Sequence, residues 1–318
     1  MSINHSASSP CEYETYLLDW IPLEKLDWKY LSANPNAIHL LEANPDKINW
    51  TYLSKNPNAL HLIEANLDKV DWDYICRSDF GFELLKANPD KIQWGTISHN
   101  KNAIELIEAN LDKIEWEWLS MNPSAIHILE QNVKKIHWIN FHQTLHFNDS
   151  AIQLLRENPD KIDWIYMSLY KGSIQLLEEN PDKICWNHLA MNPNAIHILE
   201  ANPDKIDWCL LSGNKSAIHL LQANPDKIDW TNLNLNASAL ELLRANPDKI
   251  DWRRILHCPE LFSLIEGNED KLSLAGIDFF ANEQAIPILE ANHDIVNWSL
   301  ISLNPAIFDF EKYAVLIK

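Results

Sequence analysis

The feature that most constrains this chain is a tryptophan that returns every 22 residues. It recurs from Trp28 to Trp138 and, after one longer step, from Trp164 to Trp252. We assign the next such position to Leu274 and the start of a shortened final unit to Trp298. A fixed period of this kind indicates a repeat architecture. Residues 28–297 are therefore predicted to form twelve units with the pattern W-x-x-L-S-x-N-P-x-A-I-H-L-L-E-A-N-P-D-K-I-D.

Each unit is predicted to be a pair of short helices, because two Asn-Pro steps divide it. Proline disfavours helical geometry in the residue before it and suits the first turn of the helix that follows. In the unit 50–71, Asn56 is placed to cap a helix on which Ala59, Leu62 and Ile63 share one face. The segment P-D-K-I-D-W-x-x-L-S predicts a turn and a shorter helix, with the residue before the tryptophan as its N-cap.

These units predict an all-α fold, an α-solenoid of about 12–13 short helix-pair repeats. A single unit cannot bury its apolar face, so the units are expected to stack into a curved rod with Trp, Leu, Ala and Ile columns as its core. A leucine-rich-repeat coil is the main alternative, since 22 residues lies within that family's period, but the L-x-x-L-x-L spacing is missing. A unit of one helix and a 3₁₀ turn lies between the two readings.

The two ends depart from the pattern, as terminal repeats that each leave one face to water should. Residues 1–10 are predicted to be a flexible N-terminus and residues 11–27 an N-terminal cap. Residues 298–318 are predicted to hold the partial repeat and a capping helix that closes at 314–317.

Composition excludes several classes of function. With 45 acidic and 26 basic side chains the formal net charge is −19, which disfavours nucleic acid and anionic membranes as partners. No stretch approaches the roughly 18 apolar residues of a membrane span. Five scattered cysteines without metal-site spacing indicate free thiols and an intracellular protein. Six glycines form no phosphate loop, and Ser, His, Asp and Glu recur in step with the repeat, so no enzyme activity and no cofactor is predicted.

One irregular unit carries a cluster of histidines. It is 26 residues long and contains His137, His142 and His146, of which the last two, four apart, would share the face of an α-helix. We treat this cluster as a candidate metal site, although no cysteine lies nearby. The plainer interpretation is a local insertion that bends the rod.

Columns that vary between repeats indicate the surface available to a partner. The second residue after the tryptophan is aromatic in five of eleven units, and aromatic and arginine side chains often anchor interfaces. The alternative is that these rings shield the groove between neighbouring helices. A column of His, Glu and Gln from His39 to Glu241 is predicted to be solvated, and an asparagine column from Asn44 to Asn246 is predicted to satisfy turn backbone groups. The candidate partner-binding residues are Tyr30, Tyr52, Tyr74, Trp118, Tyr166 and Arg254.

The units at 34–50 and 192–208 read N-P-N-A-I-H-L-L-E-A-N-P-D-K-I-N-W and N-P-N-A-I-H-I-L-E-A-N-P-D-K-I-D-W. They resemble the Asn-Pro and Trp-rich repeats of multigene families in giant DNA viruses. The resemblance implies a viral protein in the host cytoplasm, the nucleus or the virion. We expect a scaffold that binds a host or viral protein, with a structural component of the virion or viral factory as the alternative.

Overall fold

A computed structural model describes residues 17–146 and 150–309, and within these residues it contains helices and turns but no strand. The predicted all-α solenoid is confirmed, and the leucine-rich-repeat alternative is wrong because its unit requires a strand. The chain divides into two compact units, residues 1–75 with 262–318 and residues 76–261. Residues 1–10, the start of the predicted cap and the predicted closing helix at 314–317 lie outside the described residues.

Each repeat contains two short helices separated by 3₁₀ turns. The helix that follows the tryptophan position is here called the Trp helix, and the other is called the second helix. The Trp helices are Trp28–Ala33, Trp50–Leu53, Trp72–Arg77, Trp94–Ile97, Trp116–Leu119, Trp138–Phe141, Trp164–Leu169, Trp186–Leu189, Trp208–Leu211, Trp230–Leu233, Trp252–Ile255, Ile277–Phe280 and Trp298–Ile301. The second helices are Ile38–Ala43, Leu60–Glu64, Phe82–Ala87, Ile104–Glu108, Ile126–Gln131, Ser150–Glu157, Ile174–Glu179, Ile196–Glu200, Ile218–Ala223, Leu240–Ala245 and Ile286–Ala291.

The turns between these helices are 3₁₀ helices, most of which begin at a proline. They are Leu23–Lys25, Pro45–Lys47, Pro57–Ala59, Pro89–Lys91, Pro123–Ala125, Val133–Lys135, His142–His146, Pro159–Lys161, Lys171–Ser173, Pro181–Lys183, Pro203–Lys205, Lys215–Ala217, Pro225–Lys227, Pro247–Lys249, Pro259–Leu264, Glu269–Leu274, Glu283–Ala285, His293–Ile295 and Pro305–Ile307. In the repeat that starts at Trp252, the 3₁₀ helix Pro259–Leu264 takes the place of the second helix.

Side chains cap both helices of the repeat. The Asn49 side chain accepts a hydrogen bond from the backbone N–H of Tyr52, and Asp163 does the same for Tyr166, so these predicted N-caps are confirmed. At the C-terminal end of the second helix, the Nδ2 of Asn44 donates to the carbonyl of Leu40. This bond satisfies one of the carbonyl groups that have no partner within the helix. The same bond recurs along the predicted asparagine column.

The core is built from the residue three positions after the tryptophan, the alanine of the first Asn-Pro step and the second helix. Leu53, Ala59 and Ile63 are fully buried. The tryptophans are only part-buried, so the prediction that they form a core column is wrong. The indole of Trp28 lies under the ammonium group of Lys47, 4.4 Å from the ring centroid, because the lysine of the following turn covers the ring that the core leaves exposed.

A ladder of buried asparagines joins one repeat to the next. The Nδ2 of Asn56 donates to the carbonyls of Ser32 and Asn34 in the preceding repeat, at 3.2 and 2.8 Å, and its Oδ1 accepts from the N–H of Asn58. Each bond satisfies a buried backbone group, so the ladder fixes how neighbouring repeats align. The donor position is occupied in the same way by Asn34, Asn100, Asn122, Asn192, Asn214, Asn236 and Asn304.

The first and last repeats of the first compact unit are joined by this same ladder. The Nδ2 of Asn34 donates to the carbonyls of Ser302 and Asn304, both at 3.0 Å, and the N–H of Asp27 donates to the Ser302 hydroxyl at 2.8 Å. Leu17 forms an isolated antiparallel bridge with Phe308. The expectation that the outer faces of these two repeats meet water is therefore wrong, because each repeat covers the other.

The ladder also corrects one repeat boundary. The Nδ2 of Asn304 donates to the carbonyls of Phe280 and Asn282, which places these residues at the serine and asparagine positions of the preceding repeat. Counting back along the pattern puts Gly276 at the tryptophan position. Leu274, predicted to hold that position, instead ends the 3₁₀ helix Glu269–Leu274.

Candidate interaction surface

Three positions of every Trp helix face outward. In the repeat that starts at Trp50, Leu53 is in the core and Ser54 is buried, whereas Thr51 and Lys55 are exposed and Tyr52 is half-buried. The first, second and fifth positions after the tryptophan therefore form a surface that we call the Trp-helix face. These positions also vary most between repeats, so this is where the chain changes its surface without changing its core.

The exposed large apolar side chains of the described residues all lie on the Trp-helix face. Apolar side chains that stay exposed at variable outward positions of a repeat are candidate contacts for another molecule. Three of the six lie at the first position, one at the second and two at the fifth. They are Ile139, Ile165, Ile277, Trp118, Met191 and Leu235.

The outward position of the second helices is polar instead. Its histidines pair with glutamates of the preceding repeat, for example His61 Nε2 with Glu42 Oε1 at 2.7 Å and His219 with Glu200 at 2.9 Å. These pairs are solvent-exposed and contribute little to stability. The column lies at the surface, as predicted, and carries His39, His61, Glu83, Glu105, His127, Gln153, Gln175, His197, His219 and Glu241.

Three of the predicted aromatic residues lie together in the first compact unit, and we call them the tyrosine segment. Tyr30 and Tyr52 meet edge to face with ring centroids 5.7 Å apart. The ammonium group of Lys29 lies 4.9 Å from the Tyr52 ring, and that of Lys55 lies 4.8 Å from Tyr52 and 5.6 Å from Tyr74. A hydrogen bond to Tyr52 raises the pKa of Lys29 above its usual value. Rings and cations therefore cover one another along this segment.

The other three candidate residues lie in the second compact unit and do not form one cluster. Trp118 is 45% exposed. Tyr166 is half-buried and stacks on the imidazole of His142 at 5.7 Å. The Nε of Arg254 lies 3.4 Å from a carboxylate oxygen of Asp251, the N-cap of the same helix.

A groove between two Trp helices of the second compact unit was not predicted from the sequence, and we call it the isoleucine groove. It has a volume of about 450 Å³ and runs between the helices Trp138–Phe141 and Trp164–Leu169. Its most exposed apolar residues are Ile139, at 70%, and Ile165, at 48%. A sequence signal existed, because these two successive repeats carry isoleucine at a position where their neighbours carry Glu117 and Asn187.

His142 holds the backbone at the base of this groove. In ordinary repeats a serine hydroxyl bridges two backbone groups, as Ser54 does between the Trp50 carbonyl at 2.9 Å and the Asp71 N–H at 3.0 Å. His142 replaces the serine and bridges the equivalent groups with its two ring nitrogens. Nδ1 donates to the Trp138 carbonyl at 2.5 Å and Nε2 accepts from the Asp163 N–H at 3.0 Å.

These bonds give His142 a structural role in place of the proposed role as a metal ligand. Burial lowers the pKa of its imidazole, so the ring is neutral and both nitrogens are occupied by backbone groups. His142–His146 is a 3₁₀ helix, in which residues four apart do not share a face as they would in an α-helix. His137 is exposed, and the side chain of His146 lies outside the described part of the structure. Within residues 17–146 and 150–309, no group of three or more His, Cys, Asp or Glu side chains is arranged to hold a metal ion.

The described cysteines are free thiols with different surroundings. Burial raises the pKa of Cys258 to about 11, with a further contribution from Glu260. Burial also raises the pKa of Cys76. Cys185 is half-buried, and its Sγ lies 3.0 Å from Nδ1 of His188.

Comparison of the chain with family models, curated proteins and solved structures gives no match. The candidate surface therefore rests on the differences among the repeats of this chain. In the described part of the chain, none of the helices has the length and apolar character needed to cross a membrane.

Proposed function

We propose that this protein is a non-catalytic repeat scaffold that binds another protein through its Trp-helix face. One observation carries the proposal: among the described residues, every exposed large apolar side chain lies on this face, whereas the second helices present a polar column. Protein interfaces are centred on apolar and aromatic side chains of this kind. The second helices carry polar side chains at their outward position, so we assign them to the side of each repeat that remains in water.

The partner is a polypeptide of the host or of the virus, and the protein acts inside the host cell. This part of the proposal draws on the resemblance to the giant-virus repeats. The anchor residues are the aromatic candidates and Arg254, because they occupy the second position of the Trp-helix face, where the repeats differ most. The high negative charge favours a partner with basic surface.

The test compares two variants that each carry three substitutions. The first changes the Trp-helix face by Tyr52→Ala, Tyr74→Ala and Trp118→Ala. The matched control changes the second helices by His127→Ala, His197→Ala and His219→Ala. Tagged proteins are expressed in infected cells and their partners are quantified by affinity capture and mass spectrometry, after circular dichroism and thermal melting have shown that the variants fold.

We expect the Trp-helix variant to lose a specific partner by roughly tenfold or more, as when interface anchors are removed, and the control to retain it. Unchanged partners for the folded Trp-helix variant would contradict the proposal. Enrichment of the protein in purified particles, without any specific partner, would favour the structural role instead.

A further inference from the structure

We propose that the isoleucine groove binds a basic segment of a partner polypeptide that inserts one aliphatic or aromatic side chain between Ile139 and Ile165. This inference rests on the proposed function and specifies the chemistry of the partner. It assigns the site to a part of the molecule that lies wholly within the second compact unit.

Only here do two successive repeats both carry isoleucine at the first position of the Trp-helix face. Ile139 and Ile165 are 70% and 48% exposed, although isoleucine is among the residues most often buried. The indoles of Trp138 and Trp164 and the side chain of Ile162 line the space between them. Two exposed isoleucines that face one open groove leave apolar surface in water, and a partner side chain of matching size would remove it.

The residue at the base of the groove also differs from that of the other repeats. A serine hydroxyl bridges the carbonyl of one repeat and the N–H of the next through one oxygen atom, which holds the two backbones close together. The imidazole of His142 places two ring nitrogens between the Trp138 carbonyl and the Asp163 N–H. The imidazole of His142 therefore lines the base of the groove where an ordinary repeat has a serine side chain.

The charges at the rim select a basic partner. Asp160 and Asp163 line the groove, and Glu117 occupies the equivalent outward position in the preceding repeat. The one lysine of the lining, Lys161, is paired with Asp160 at 2.8 Å, and this contact lowers the pKa of Asp160. The rim therefore carries an excess of negative charge, which attracts a basic segment and repels a second copy of this chain with its formal charge of −19.

Methyl NMR of the full chain tests the inference at the level of single residues. Isoleucine δ1 methyl groups are labelled with ¹³C, and the signals of Ile139 and Ile165 are assigned with the single Ile→Val variants. Three peptides are then titrated at low salt: Lys-Lys-Leu-Lys-Lys, Lys-Lys-Ser-Lys-Lys and Glu-Glu-Leu-Glu-Glu. We expect the first peptide to shift the signals of Ile139 and Ile165 in a saturable way. The other two should bind at least roughly tenfold more weakly, because one lacks the apolar anchor and the other is repelled.

A pair of variants distinguishes binding at this groove from nonspecific binding to exposed apolar side chains of the Trp-helix face. Ile139→Ser with Ile165→Ser removes the two walls, whereas Met191→Ser with Leu235→Ser removes two apolar side chains, 49% and 48% exposed, elsewhere on the Trp-helix face of the same compact unit. All four side chains are exposed, so neither variant opens a cavity in the core. We expect affinity for the Lys-Lys-Leu-Lys-Lys peptide to fall roughly tenfold or more in the isoleucine variant and to stay unchanged in the control.

Four results would overturn the inference. Equal shifts with the serine peptide would show that charge alone attracts the ligand, and equal losses in both variants would show that the groove is not special. Shifts of Ile139 and Ile165 that follow protein concentration without peptide, together with a dimer in sedimentation, would show that a second copy occupies the groove. If the peptide fails to bind while the Tyr52, Tyr74 and Trp118 variant still loses its captured partner, the groove is wrong and the proposed function stands.

Discussion

The tyrosine segment and the isoleucine groove occupy neighbouring outward positions of the Trp helix, the second and the first after the tryptophan, and present different surfaces. In the tyrosine segment, Tyr52 contacts a neighbouring ring and two lysine ammonium groups, so its outward side chains already cover one another. In the isoleucine groove, Ile139 and Ile165 remain exposed to water. The two regions also differ underneath, where a serine bridges the backbones in the first and His142 bridges them in the second.

This comparison shows that different positions of the Trp helix carry the backbone bridge and the surface chemistry. The position after the buried leucine bridges two backbone groups where its side chain offers both a donor and an acceptor, whereas Ala190, Leu256 and Phe280 occupy it without such groups. Asn234 meets this requirement, since its Nδ2 donates to the Trp230 carbonyl at 2.6 Å and its Oδ1 accepts from the Asp251 N–H at 2.8 Å. The outward positions take no part in this bridge and are therefore free to vary.

The largest effect is expected when the bridging residue is removed from each region. His142→Ala leaves two backbone groups without their side-chain partner and opens a cavity, so we expect a loss of about 3 kcal/mol in the free energy of unfolding. Ser54→Ala removes a smaller side chain with the same two bonds and should lose about 1.5 kcal/mol. Urea denaturation followed by circular dichroism measures both. A loss for Ser54→Ala that equals or exceeds the loss for His142→Ala would show that the His142 bridge contributes no more to stability than the Ser54 bridge.

A smaller effect is expected from pH, and only in the region that depends on His142. Burial is the main cause that lowers the pKa of its imidazole in the folded protein, and the Trp138 carbonyl and Asp163 partly oppose it. In the unfolded chain the imidazole titrates near its ordinary value of 6.5. The unfolded state therefore binds the proton more readily, and stability falls as pH drops below this value.

The matched variant for this prediction is His142→Gln, whose amide offers a donor and an acceptor but does not titrate. Between pH 7 and pH 5, hydrogen exchange at the Asp163 amide should become faster in the native protein, relative to the intrinsic rate, and change less in the variant. The Asp71 amide, bonded to Ser54, serves as the internal control in both proteins. The same pH response of Asp163 in the two proteins would exclude His142 as its source.

Much of the fold could be predicted from the sequence, because it follows from local spacing. The N-cap at Asp163 and the buried face that includes Ile63 depend only on residues within one repeat. The repeat period predicts that Trp28 is a core residue. In the structure the core covers only part of its indole, and Lys47 of the next turn lies over the ring. The bond between Asn34 and Ser302 joins residues 268 positions apart, and nothing in a repeated pattern specifies which repeat covers the first one.

The candidate surface was only partly predictable for a related reason. The aromatic column was visible from Tyr30 onward, since it depends on residue type at one repeated position. The isoleucines at positions 139 and 165 were visible as a break in a mostly polar column, but only the structure shows that they line one groove with His142 at its base. A histidine that bridges two backbone groups is indistinguishable in sequence from one that binds a metal, which explains the metal-site interpretation.

The smallest effect is expected from the lysines that border each region. Lys55→Met keeps the length of the side chain and removes only the charge that lies over Tyr52 and Tyr74. A cation over an exposed aromatic ring contributes about 0.5–1 kcal/mol, so the free energy of unfolding should fall by about that amount. Lys161→Met at the isoleucine groove removes only an exposed pair with Asp160 and should leave the free energy of unfolding almost unchanged.

A double-mutant cycle of Lys55→Met with Tyr52→Leu isolates the contact between cation and ring, because each single change also alters packing. The two changes together should cost less than the sum of the single changes, since the second removes a contact that the first has already lost. Additive losses in this cycle, or equal losses at Lys55 and Lys161, would show that the lysines of the tyrosine segment do not hold its rings together. The difference between the two regions would then reduce to the size of their outward side chains.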